Sequence, residues 1–141
     1  MPGKVDLSAT VGVGLPTGTR AVAGLGAQPY IQFPWSWELS GGWGLSGMFT
    51  NFFTPSDPVN KTTTETTFVI ERELGKKAFV FVEYVGDYRE HGGPSYMINS
   101  GAGYRVTNTQ QVDFHVAIGL NDIAPNYIIG IGYSFRFDNL F

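Results

Sequence analysis

Few side chains in this sequence are placed to do chemistry. Asp113 and His115 stand two residues apart in Gln111–Leu120, where strict alternation puts both on one face of a strand. An acid and a histidine beside a hydroxyl can activate that hydroxyl as a nucleophile. Ser134, on the next segment, or Ser8, near the start of the chain, would have to supply it. With Glu83, the same two residues could make a metal-ligand set. Both constellations rest on spacing alone, and a hydrogen-bonded polar face accounts for the same residues without catalysis. No catalytic residue, metal site or cofactor is therefore assigned, and the chain is not expected to be an enzyme. His91 lies in a Gly- and Pro-containing loop and is expected to be solvated. The sequence has no cysteine, so disulfides and thiolate metal sites are ruled out.

Strands position these groups. In Asn126–Phe137, Tyr127, Ile129, Ile131, Tyr133, Phe135 and Phe137 share one face, and Ile128, Gly130, Gly132, Ser134 and Arg136 the other. Lys4–Leu15 sets Val5, Leu7, Ala9, Val11, Val13 and Leu15 against Asp6, Ser8, Thr10, Gly12 and Gly14. The same period of two runs through segments of about ten residues at 29–39, 43–53, 64–74, 77–87, 96–106 and 111–120. Pro34 interrupts the second segment because it lacks a ladder donor, so a bulge or a locally open ladder is expected there.

Composition narrows the class. The 141 residues are the size of one domain, spanning 1–141. Hydrophobic content is 43% and charged content only 15%, against roughly 25% charged in ordinary globular chains. There are 19 glycines, and aromatic residues make up 15%. The net charge of −3 comes with no basic stripe, so nucleic acid is not an expected partner. No apolar run approaches the ~20 residues of a spanning helix. The N-terminus has no signal-peptide apolar region, so a mature form is expected, with Met1 supplied for expression.

The connections alternate long and short: 16–28, 40–42, 54–62, 75–76, 88–95, 107–110, 121–125. Long outer loops, short periplasmic turns and strands of spanning length are the outer-membrane pattern. The expected fold is all-β: a membrane-spanning, antiparallel, up-and-down β-barrel of about eight strands, closed by pairing the last strand with Val5–Leu15. A soluble lipocalin-like barrel with the apolar face inward is the alternative. It would have to crowd the aromatics into an interior only just wide enough for side chains. In the membrane arrangement Trp35, Trp37, Trp43, Tyr104, Phe135 and Phe137 would form one girdle, and Tyr84, Tyr96 and Tyr127 the other. The lumen would hold a glycine wall (Gly12, Gly14, Gly101, Gly103, Gly119, Gly130, Gly132) facing aromatic Tyr30, Phe79 and Phe81. Its charge network would comprise Glu38, Glu71, Glu83, Arg105, Asp113, His115 and Arg136, with ion pairs around the two arginines plugging the lower half. Glu73 is expected near the rim.

Three stretches carry a resemblance: Gly14-Leu-Pro-Thr-Gly-Thr19, Gln28-Pro-Tyr-Ile-Gln-Phe-Pro-Trp-Ser-Trp37, and Gly119-Leu-Asn-Asp-Ile-Ala-Pro-Asn-Tyr127 leading into Gly130-Ile-Gly-Tyr-Ser-Phe-Arg-Phe137. They resemble the phenol meta-pathway (MetA-type) family of outer-membrane barrels, often labelled transporters. The resemblance implies a bacterial outer-membrane location, a lipid bilayer or detergent as surroundings, and passage of small hydrophobic or aromatic molecules. A closed, non-conducting scaffold is the alternative function. Family members are usually longer, with extra strands before this region, which implies a truncated or engineered form here. Gly132-x-x-Phe135-x-Phe137 also resembles the signal read by the barrel-assembly machinery, implying that machinery as a partner.

Overall fold

Alternating large and small residues, with β-branched and aromatic side chains on one face, favour extended chain over helix. Strands are what forms in the computed structural model, which describes residues 3–17 and 26–137. They are β1 (Val5–Leu7), β2 (Thr10–Gly14), β3 (Gln28–Glu38), β4 (Trp43–Phe53), β5 (Thr62–Leu74), β6 (Ala78–Arg89), β7 (Ser95–Arg105), β8 (Gln110–Gly119) and β9 (Tyr127–Phe135). They make one antiparallel sheet in the order β1-β3-β4-β5-β6-β7-β8-β9, with β2 also on β3. No described helix is long and apolar enough to cross a membrane. Tight turns at Ser40–Gly42 and Gly75 rely on positive φ at Gly41, Gly42 and Gly75. Parts of the expected sequence features, at 18–25 and 138–141, lie outside the described residues.

The expected first strand is split in two. Both pieces keep one register on β3, with Leu7 opposite Trp35 and Thr10 opposite Gln32. The gap at Ser8–Ala9 is therefore not a bulge. Ser8 N–H donates to the Pro34 carbonyl at 3.0 Å, which shows that the hydrogen-bonding edge of Pro34 faces this side. The reciprocal bond is missing because proline has no N–H. On its other side Pro34 stands opposite Met48 in an unbroken β3–β4 ladder.

The expected closing pair is absent. Among the described residues β9 bonds only to β8, and β1 and β2 only to β3, so the sheet has two free edges. Edge N–H and C=O groups are tolerated where water can hydrogen-bond them. Nothing within the sheet itself compels closure.

The ladders carry the two faces across the whole sheet. The row Phe81, Gly101, His115, Gly130 lies on the polar face, and the row Trp35, Gly47, Phe68, Tyr84, Ile98, Ile118, Tyr127 on the apolar one. Trp35 is three residues from the end of β3, whereas Tyr127 is eight from the end of β9. The row thus climbs five residues relative to the short-turn ends, on the order of 17 Å at ~3.3 Å per residue.

The sheet has almost no core of its own. Ala117 and Ala124 are the buried apolar side chains among the described residues, while Ile131 is 85% exposed and Leu7 78%. The chain exposes 9775 Å², against about 7,200 Å² for a compact globular protein of this mass.

At the long-loop end the connections dock on one another. Lys61 N–H donates to Glu90, and His91 N–H donates to the Asn60 side chain. His91 Nδ1 lies 2.9 Å from the Val59 carbonyl. A carbonyl only accepts, so this histidine carries its proton on Nδ1, and it is anchored rather than merely solvated. Asn121 bridges the next pair of connections, donating to the Pro94 carbonyl and accepting from Tyr96 N–H. Within the 54–61 loop, Asp57 accepts from the N–H groups of Val59 and Asn60. The Asn60 and then the Val59 bond hold its carboxyl below the usual carboxylate range.

Pro34→Thr supplies the missing donor and should fuse β1 and β2, adding about 1 kcal/mol. Hydrogen exchange should then show a protected amide at position 34, and an unprotected one would count against this explanation. Because Asp57 is depressed in the folded state, its contribution is present above the ordinary carboxylate pKa and lost as pH falls through the lowered value. Protection at Val59 and Asn60, corrected for intrinsic exchange, should fall in acid for the natural chain but stay flat in Asp57→Asn.

Candidate functional site on the polar face

On the polar face large side chains lie over glycines of the next strand. A methyl group on Gly12 would overlap the Tyr30 ring, one on Gly103 the Phe79 ring and one on Gly101 the Phe81 ring. His115 covers Gly130, Asp113 covers Gly132 and Glu71 covers Gly44 in the same way. Each pair is directly cross-strand. The glycines are therefore the seats on which the large groups rest. A glycine, having no Cβ, lets the neighbouring large group approach the backbone this closely.

A hydrogen-bonded chain crosses three strands. Asn99 Nδ2 donates to Glu83 Oε2 at 2.9 Å, and His115 Nδ1 lies 3.1 Å from Asn99 Oδ1. With the amide nitrogen committed to the carboxylate, Asn99 presents its oxygen to His115, which must carry its proton on Nδ1. Nε2, over Gly130, is then the free nitrogen. Asn99 shares the parity of Glu83 and is opposite it in the β6–β7 ladder, but its linking role needs the register and is not visible in spacing.

Arg105 forks onto Glu73 through bonds of 2.9 and 2.7 Å, with its guanidinium carbon 5.5 Å from the centre of the Phe79 ring. Glu73, the residue expected near the rim, takes the fork rather than Glu71 or Asp113. Both partners are about two-fifths exposed, so the pair orders side chains more than it stabilises the fold. Glu38, Glu71 and Glu73 border a recess of about 240 Å³ at the short-turn end. Arg105 and Arg136 border another of about 260 Å³ beside the Thr107–Gln110 turn.

The suspected nucleophile is not brought to the histidine. Ser134 is opposite Gln111, while His115 is opposite Gly130, four residues or roughly 13 Å along the strand. Ser8 lies beside β3, at the other side of the sheet. Among the described residues no three His, Asp or Glu side chains converge as a metal would require.

The suspected girdle residues Trp35, Trp37, Trp43, Tyr84, Tyr96, Tyr104, Tyr127 and Phe135 stand on the opposite, apolar face. Phe137 lies just beyond β9 and is exposed. Tyr84 and Tyr96 stack at 6.2 Å, and Tyr88 meets Tyr96 edge-on at 5.8 Å. Phe135 and Phe137 meet edge-on at 5.1 Å. The Tyr84 and Tyr88 contacts with Tyr96 tie β6 to β7.

A family model described as "Putative MetA-pathway of phenol degradation" matches residues 2–137. The chain belongs to this family. No curated protein and no solved structure matches it. The match to the MetA family covers every strand, so it extends over the sheet and both of its faces alike.

If the glycines are seats, filling one should cost stability only while its occupant is present. Gly103→Ala should destabilise by about 1–3 kcal/mol. In a Phe79→Ala background the same change should cost much less. Urea unfolding of the four chains in detergent measures the coupling, and equal costs in both backgrounds would show that Phe79 does not rest on Gly103.

Proposed function

We propose that this MetA-family chain is an outer-membrane β-barrel that passes small hydrophobic or aromatic molecules, with its apolar face in lipid and its polar face lining the lumen. One observation carries the proposal. The apolar face is exposed and almost uncharged, and the sheet buries almost no apolar side chain of its own. In water such a face would drive aggregation, whereas hydrocarbon is a favourable solvent for it. Hydrocarbon offers no partners to sheet edges, so in a bilayer β9 and the β1–β2 edge pair with each other. The barrel-assembly machinery is the partner that would bring this about. Phe79, Phe81 and Tyr30 give the lumen flat apolar surfaces, and the family's description concerns phenol, a small aromatic molecule. The seating of large groups on glycines favours a second reading, a packed barrel that does not conduct.

Planar-bilayer recording of the refolded chain, alongside a heat-modifiable gel shift, separates these. A conducting barrel gives the shift and discrete current steps, which grow when Phe79 and Phe81 are both changed to Ala. A shift with silent bilayers selects the packed scaffold. Clean solubility without detergent and no shift would overturn the membrane assignment.

A further inference from the structure

One charged side chain stands on the wrong face. Among the described strand residues Asp6, Glu38, Glu65, Glu71, Glu73, Glu83, Asp87, Arg89, Arg105 and Asp113 share the polar face, whereas Arg72 sits on the apolar face. Its direct cross-strand neighbour is Trp43, and its guanidinium carbon lies 5.0 Å from that ring's centroid. Arg72 is two residues from the end of β5, within roughly 7 Å of the turn. In the turn itself Lys77 places Nζ 5.8 Å from the Tyr104 ring, another apolar-face residue. Two cations, each held against an aromatic ring, thus meet the apolar face at its short-turn end.

Two apolar grooves flank this spot. One of about 530 Å³ runs beside Arg72, between Trp43, Ile70, Leu74, Val82 and Ser100. The other, about 430 Å³, lies where Ala78 and Ala102 leave a hollow between Leu74, Tyr104 and Phe114. Leu74 and Val80 border both, so the grooves are neighbours. The Ser100 hydroxyl donates to the Phe81 carbonyl at 3.2 Å, so it asks nothing of an occupant.

We propose that this patch binds one phospholipid of the leaflet at the short-turn end. Arg72 holds the headgroup phosphate, Lys77 adds a second positive charge at the same end of the face, and the two acyl chains lie in the two grooves. The proposal rests on the membrane reading above. A guanidinium exposed among apolar side chains is costly unless it reaches the interface or an anion, and phosphate matches its fork of donors. The Trp43 ring fixes the Arg72 guanidinium before the lipid arrives, which lowers the ordering cost of binding. Shallow paired grooves below two cations suit a two-chain amphiphile better than a compact ligand.

The test is titration of phosphatidylglycerol onto the full chain in detergent, with bound lipids counted by native mass spectrometry and dioleoylglycerol as the phosphate-free control. The natural chain should retain one phosphatidylglycerol and no dioleoylglycerol. Arg72→Gln should bind about fivefold more weakly. Ala102→Phe keeps both cations but fills a groove, and it should weaken retention as well. Equal retention by the natural chain and Arg72→Gln, or equal retention of the two lipids, would overturn the site. Each variant is checked for the heat-modifiable shift. A normal shift with indifferent lipid binding sinks this site alone, whereas loss of the shift in the natural chain sinks the membrane reading and this site with it.

Discussion

Side chains alternate along a strand, so a slip of one residue in any ladder would carry every charge beyond it onto the apolar face. From β3 to β9 the ladders pair residue for residue, and the two faces stay separate through all of them. The seating of Phe79 on Gly103, the Glu83–Asn99–His115 chain and the ring contacts of the apolar face all depend on that constancy. Even the proline obeys it. Pro34 removes one hydrogen bond toward β1 and β2 but shifts neither register.

The polar face resolves a conflict between filling and opening. In the proposed barrel, eight strand positions would leave little room inside, yet this face carries four aromatic rings (Tyr30, Phe52, Phe79 and Phe81), a histidine and many carboxylates. Tyr30, Phe79 and Phe81 each extend over a glycine of the next strand, into the space that a Cβ there would occupy. The charges also crowd toward the short-turn end, where Arg105 and Glu73 join across β6. In the proposed barrel, narrowing by ion pairs would belong at that end, while the Glu83–Asn99–His115 chain occupies the middle of its strands.

Much of this was legible in the sequence because a period of two is a local signal. Trp43–Phe53 was expected and found with the same bounds, and the other strands start or stop within a few residues of expectation. The break at Ser8–Ala9 was foreshadowed by Pro34, although only the paired strand shows which side loses its bond. What spacing could not show is which residues meet across strands. Glu73 and Arg105 are 32 residues apart in sequence and touch over an intervening strand. Asn99 joins Glu83 to His115 only because the β6–β7 and β7–β8 registers set it between them. Arg72 follows Phe68 and Ile70 by parity, but its significance appears only when β4 brings Trp43 opposite it. The glycine set falls on β7, β8, β9 and β2 and the aromatic set on β3 and β6, and the two meet where β6 pairs with β7 and β2 with β3.

The free edges are the point at which the sheet's own bonds stop deciding. β1 and β2 share one position beside β3, so eight positions separate the two edges, and an even number leaves the end strands antiparallel. Pairing them would set Leu7, Val11 and Val13 on the same side as Tyr127, Ile129 and Ile131, which preserves the segregation. Closure also demands that the register climb steadily around the sheet, and the row from Trp35 to Tyr127 does climb, by five residues. The open sheet thus already has the stagger, the strand direction and the face parity of a barrel. In the proposed bilayer setting, hydrocarbon would leave the unpaired edge groups no partners but each other.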